Sequence, residues 1–147
     1  MRAAIGRLTV GFLGLFAMLA AGLLTAPAAV SASAHFVGSP SIAVNNGGVT
    51  ATGKIAGLGN QDVTINLEAT VKVTCRNRGG HVPPGQTQTL TGAVSNLSPK
   101  NGSVNFSVST NSVGDTCPGP MTPTLTLERA TLTVFQGGQQ VLQRSFA

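Results

Sequence analysis

The chain has 147 residues, nine Lys and Arg, four Asp and Glu, and a net charge of +5. Charged residues make up 9% of it, which is too sparse for the dense basic stripe that a nucleic-acid surface needs. The low charge and abundant apolar residues also exclude a disordered chain.

The first 34 residues read as a secretory signal peptide. Arg2 and Arg7 make a positive start, and a 17-residue apolar run from Leu8 to Leu24 follows. The stretch ends in Ala32-Ser33-Ala34, an A-x-A cleavage pattern. Val30-Ser31-Ala32 offers a second site. The run is near the lower limit for a membrane-spanning helix. No second apolar stretch follows it, so no membrane span is expected once the signal is cleaved. Residues 35–147 then form one secreted domain of 113 residues, long enough to bury a core. It carries Lys54, Lys72, Arg76, Arg78, Lys100, Arg129 and Arg144 against Asp62, Glu68, Asp115 and Glu128, a net +3.

Within that domain Ser41–Val44 and Val49–Ile55 predict two strands. Asn45-Asn46-Gly47-Gly48 between them is a hairpin signal, because Asn and Gly accept positive φ. Residues 62–75 alternate strictly. Val63, Ile65, Leu67, Ala69, Val71, Val73 and Cys75 share one face, and Thr64, Asn66, Glu68, Thr70, Lys72 and Thr74 share the other. Period two over this length is a strand with one buried face. It places Cys75 on the buried side, under or across the sheets.

Gln88–Leu97 predicts the next strand, with Leu90 and Val94 inward, and Ser103–Thr110 follows the Asn101-Gly102 turn. Leu125 and Leu127 then keep one phase, and Ala130, Leu132 and Val134 keep the other. The slip at Glu128-Arg129 predicts a bulge or a crossing between sheets. Gln136-Gly137-Gly138-Gln139 is a second hairpin turn, and Gln140–Phe146 is the last strand.

About seven strands and no helical period predict an all-β fold: a two-sheet antiparallel sandwich, immunoglobulin-like, with one disulfide. A small barrel is the alternative. Cys75 and Cys117 are the only cysteines. In an exported chain an isolated pair reads as a disulfide. The sequence lacks the Trp that packs on the antibody-type bridge.

Two long connections adjoin these cysteines: Arg76 to Gln86 and Asn111 to Pro123. The disulfide should hold them together at one end, stiffened by Pro83, Pro84, Pro118, Pro120 and Pro123. Rigid scaffolds carry function on such loops. Arg76, Arg78, His81 and Asp115 are therefore the candidate interaction residues.

An ordered set of short motifs runs through the domain. It comprises Ala56-Gly57-Leu58-Gly59-Asn60, Val73-Thr74-Cys75 with Asn77-x-Gly79-Gly80, Pro84-Gly85-Gln86, Lys100-Asn101-Gly102, Cys117-Pro118 and Gln136-Gly137-Gly138. In this set the chain resembles uncharacterised small secreted β-domain proteins of actinomycete-type bacteria. The resemblance covers most of the mature domain. It implies a bacterial exported β domain and brings no activity or catalytic residue with it.

Enzyme signatures are thin. The four acids show no facing pair of the kind glycoside hydrolysis needs, and G-x-S-x-G is absent. No cofactor is expected on the main reading, which is a non-enzymatic, monomeric or weakly associating extracellular interaction or structural module. Its partner would be a cell-wall or other extracellular polymer.

Copper is the alternative. If cleavage follows Ala34, His35 offers its α-amine and ring Nδ1 to one metal, and His81 supplies a third nitrogen, a set suited to Cu(II). Lytic polysaccharide monooxygenases carry such a brace. This chain is similar to them in export, fold class and the place of His35, but it is short and has no Tyr. A polysaccharide-binding module is the second alternative. In place of the usual Trp and Tyr only Phe36, Phe106, Phe135 and Phe146 remain, and Phe106 fits a core position by its alternation; a polar Thr, Asn and Gln face could contact wall polymers by hydrogen bonding.

Overall fold

The structure is a computed structural model that describes residues 34–45, 47–114 and 117–147. The signal segment up to Ser33, with Asn46, Asp115 and Thr116, lies outside the described residues. Eight strands follow in order: β1 (His35–Phe36), β2 (Ser41–Asn45), β3 (Gly48–Ala56), β4 (Val63–Arg76), β5 (Gln86–Leu97), β6 (Ser103–Ser109), β7 (Thr122–Gln136) and β8 (Gln139–Phe146). They form two antiparallel four-stranded sheets. In the first, β3 is flanked by β1 and β2 on one side and by β6 on the other. The second runs β5-β4-β7-β8. The chain crosses between sheets after β3, β5 and β6, which gives the immunoglobulin-like Greek key.

Eight strands replace the expected seven because the edge beside β3 is broken in two. β1 pairs His35 with Ala56 and Phe36 with Ile55, whereas β2 pairs from Ser41 with Thr52 to Asn45 with Gly48. Between them Val37 donates to the Lys54 carbonyl at 2.9 Å, and Pro40 turns inward and is buried. A two-residue strand is too short to show a period, so alternation misses it.

The core lies between the sheets. Val49, Ala51, Ile55, Phe106 and Val108 come from the first sheet. Val63, Ile65, Leu67, Ala69, Val71, Val73, Leu90, Ala130, Leu132 and Val134 come from the second. All seven odd positions of β4 are inward as the alternation predicts, except that Cys75 at its end is only half-buried.

The predicted bulge is real. Thr70 faces Arg129 and Val71 faces Leu127, so Glu128 is the extra residue. That one insertion turns Leu125 and Leu127 to the same face as Ala130 and Leu132. At the β7–β8 turn Gly137 and Gly138 have φ of 59° and 79°. Two consecutive positive values are what a type I′ hairpin requires.

One expectation about β7 needs correction. The strand begins at Thr122, so Pro123 lies inside it, opposite Cys75. The strand tolerates a proline there because β8 pairs only with Ala130–Gln136. On that side β7 is an edge, where a missing N–H costs no ladder bond.

Candidate functional site

The second sheet is longer than the first. β6 ends at Ser109, and Ser109 packs so closely on β5 that a Cβ at Gly92 would overlap its carbonyl. Gly92 pairs with Leu67, yet β4 continues to Arg76. The inner side chains of this overhang, Ala69, Val71 and Val73, are nonetheless buried.

The β6–β7 connection supplies cover where the first sheet stops. Val113 packs against the core, and its N–H donates to the Gly47 carbonyl at 2.6 Å. Farther out, Pro83, Pro84 and Pro118 close around Val73 and Cys75. The Cys75–Cys117 disulfide pins this cover, with Cα atoms 5.5 Å apart. The bridge therefore ties a strand end to a connection; it does not cross the core between two strands. The two long connections meet at one end of the sandwich, as expected.

Beyond Cys75 the chain folds into a tight turn around Asn77. The Gly80 N–H donates to the Asn77 carbonyl at 3.1 Å, and the Asn77 N–H donates to the His81 carbonyl at 3.3 Å. The Asn77 Oδ1 accepts the His81 N–H at 2.9 Å. Gly80 takes the positive φ of 79° that the turn demands. Three hydrogen bonds thus hold a segment that reads in the sequence only as a Gly-rich loop.

The turn fixes Arg76 and Arg78 on either side of Asn77. These three residues line a shallow, open cleft of about 390 Å³ with Pro120, Thr122 and Thr124. Both arginines and His81 are exposed. His81 does not line this cleft, and Asp115 lies outside the described residues.

His35 stands elsewhere. It pairs with Ala56, where β3 runs out and the chain heads toward the start of β4. His81 follows the other end of β4. That strand's 14 residues span about 40 Å at ~3.3 Å each. The structure therefore does not bring His35 and His81 together, and one copper ion cannot use both within a chain. Among the described residues no group of three His, Cys, Asp or Glu side chains could hold a metal. Asp62 accepts a 2.6 Å hydrogen bond from the Ser98 hydroxyl at the His35 end. Glu68 stands on the outer face of β4, and Glu128 is the bulge residue.

No family model, curated protein or solved structure matches the chain. The site must therefore be read from its own chemistry.

A second surface lies on the outer face of the longer sheet. Asn66 and Glu68 of β4, Thr91 of β5, and Thr131, Thr133 and Phe135 of β7 line a shallow groove of about 440 Å³. Ala93 faces Asn66 across β4–β5 and leaves room over that row. The signal for this surface was present in the sequence as the polar phase of each strand. Finding the groove also required the register, which sets Glu68 between Thr91 and Thr131.

Proposed function

We propose that this chain is an exported, non-enzymatic binding module of the cell envelope or its surroundings, of the actinomycete-type kind that its ordered motifs resemble. Its working surface is the disulfide-tethered end. One observation carries this reading: the bridge and the Asn77 turn hold Arg76 and Arg78 in one cleft with the hydroxyl-bearing Thr122 and Thr124. Two exposed guanidinium groups beside a tethered turn are suited to capturing an anion, because they offer donors and no acceptor. The disulfide agrees with an oxidising compartment. No helix among the described residues is long and apolar enough to cross a membrane.

The outer groove supports a second reading, a polysaccharide-binding module. Phe135 offers a ring face to a sugar, and Asn66, Glu68, Thr91, Thr131 and Thr133 offer hydrogen bonds. One experiment separates the two: co-sedimentation of the purified protein with isolated cell walls and with insoluble neutral glycans. Binding to walls that an Arg76→Gln/Arg78→Gln variant loses supports the first reading. Loss with Phe135→Ala instead supports the second. No sedimentation with either material overturns both.

A further inference from the structure

Resting on the reading of the disulfide-tethered end as the working surface, we infer that its cleft takes the phosphate groups of a phosphodiester-linked polymer. Each arginine presents five N–H donors and no acceptor, in a planar fork that matches an oxyanion. The Asn77 Oδ1 accepts the His81 N–H, which leaves both N–H donors of the side-chain amide available to a ligand. Thr122 and Thr124 add hydroxyls. Among the described residues no carboxylate lines the cleft. A rim with two guanidinium groups, an amide N–H₂ and two hydroxyls to donate is complementary to an anion with several oxygens.

A polymer fits better than a lone ion because the positive charge continues along the sheet. Lys72 and Arg76 share the outer, even-numbered phase of β4, four residues or about 13 Å apart. Lys72 faces Thr126, and Arg129 faces Thr70 one row farther on. Four of the seven Lys and Arg residues that follow Ala34 therefore sit on this half of one sheet or at its tip. Among the described residues two carboxylates limit the track. Glu128 is beside Arg129 at the bulge, and Glu68 lies one row beyond it, opposite Thr131. The run from Arg78 to Lys72 is the stretch clear of both, with Thr74 and Thr124 paired across its middle.

The test is a titration of the disulfide-intact protein with a glycerol-phosphate oligomer. Inorganic phosphate, polygalacturonate and neutral dextran serve as comparison probes. The oligomer should bind, and three to four ionic contacts should make it about 20- to 50-fold weaker between 50 and 200 mM salt, scaling as for a flexible single-stranded polyanion. Arg76→Gln/Arg78→Gln should weaken binding at least tenfold, and Lys54→Gln, on the first sheet, should leave it unchanged. Thermal melting verifies that each variant is folded.

No binding of the oligomer would overturn the inference, as would binding indifferent to both arginines. Equal binding of polygalacturonate would overturn the phosphodiester assignment, and equal binding of inorganic phosphate would overturn the polymer. If the oligomer fails but walls still bind through Arg76 and Arg78, the ligand class is wrong and the surface stands. If wall binding also ignores these arginines, the parent reading falls with it.

Discussion

Removing the disulfide by Cys75→Ala/Cys117→Ala should destabilise one end of the sandwich far more than the other. The bridge spans 42 residues of sequence. Closing a loop of that size lowers the unfolded chain's entropy by an amount worth about 4 kcal/mol, from which any native strain subtracts. A domain of this length is stable by roughly 6–17 kcal/mol, so the variant should still fold. Its melting temperature should drop by about 15–30 °C, taking ~4–8 °C per kcal/mol.

The distribution of the damage is the sharper prediction. The β6–β7 connection covers the β4 overhang, and the bridge is its outer anchor. Amide hydrogen exchange should therefore accelerate at Val71, Val73 and Val113. Ile55, Ile65 and Val134, deep between the two sheets, should keep protection close to the remaining global stability. Guanidinium unfolding of oxidised and variant protein, with exchange read by mass spectrometry, provides both numbers. A loss below about 1 kcal/mol, or exchange that rises equally at both ends, would refute the cover-and-pin account.

Four further outcomes are expected. Leu67→Ala removes a side chain that is 1% exposed and should cost about 2–5 kcal/mol. Thr126→Ala, on the exposed face, should stay within about 0.5 kcal/mol in the same denaturant titration. Gln136 is the one buried polar side chain among the described residues; it donates to the Gln61 carbonyl at 2.7 Å and accepts the Gly59 N–H at 3.2 Å. Gln136→Leu should cost about 1–3 kcal/mol by stranding both backbone groups; a neutral result in thermal melting would show that water replaces them. Asn111 caps the open edge of β5, since its N–H donates to the Thr91 carbonyl and its Oδ1 accepts the Thr91 N–H, each at 2.9 Å. Asn111→Ala should free a strand with no charged residue and raise self-association. Light scattering that finds only monomer at high concentration would contradict this.

The fold was legible wherever one face of a strand is buried. The alternation through β4 and the phase slip at Glu128 both survive in the structure because burial enforces them. The start of β7 and the two residues of β1 were not legible. Their pairing is set by partners distant in sequence, Cys75 to Arg76 for one and Ile55 to Ala56 for the other.

The candidate site was legible only in part. Cysteine count and loop length pointed to the end of the molecule where the disulfide ties the two long connections together. The cleft depends on the Asn77 turn and on Thr122 and Thr124, which stand opposite Arg76 and Thr74 only through the β4–β7 register. The histidines illustrate the reverse case. Two matching residue types suggested one metal site, and the length of β4 keeps them apart.

The central claim is that the disulfide-tethered end is the binding surface. The most direct test is nuclear magnetic resonance mapping of the ¹⁵N-labelled chain titrated with solubilised cell-wall polymer. The account predicts shifts clustered at Arg76–Val82 and Pro118–Thr124, with the amides of Asn66, Glu68 and Thr133 unmoved. Shifts confined to those outer-groove amides, or none anywhere, would contradict it.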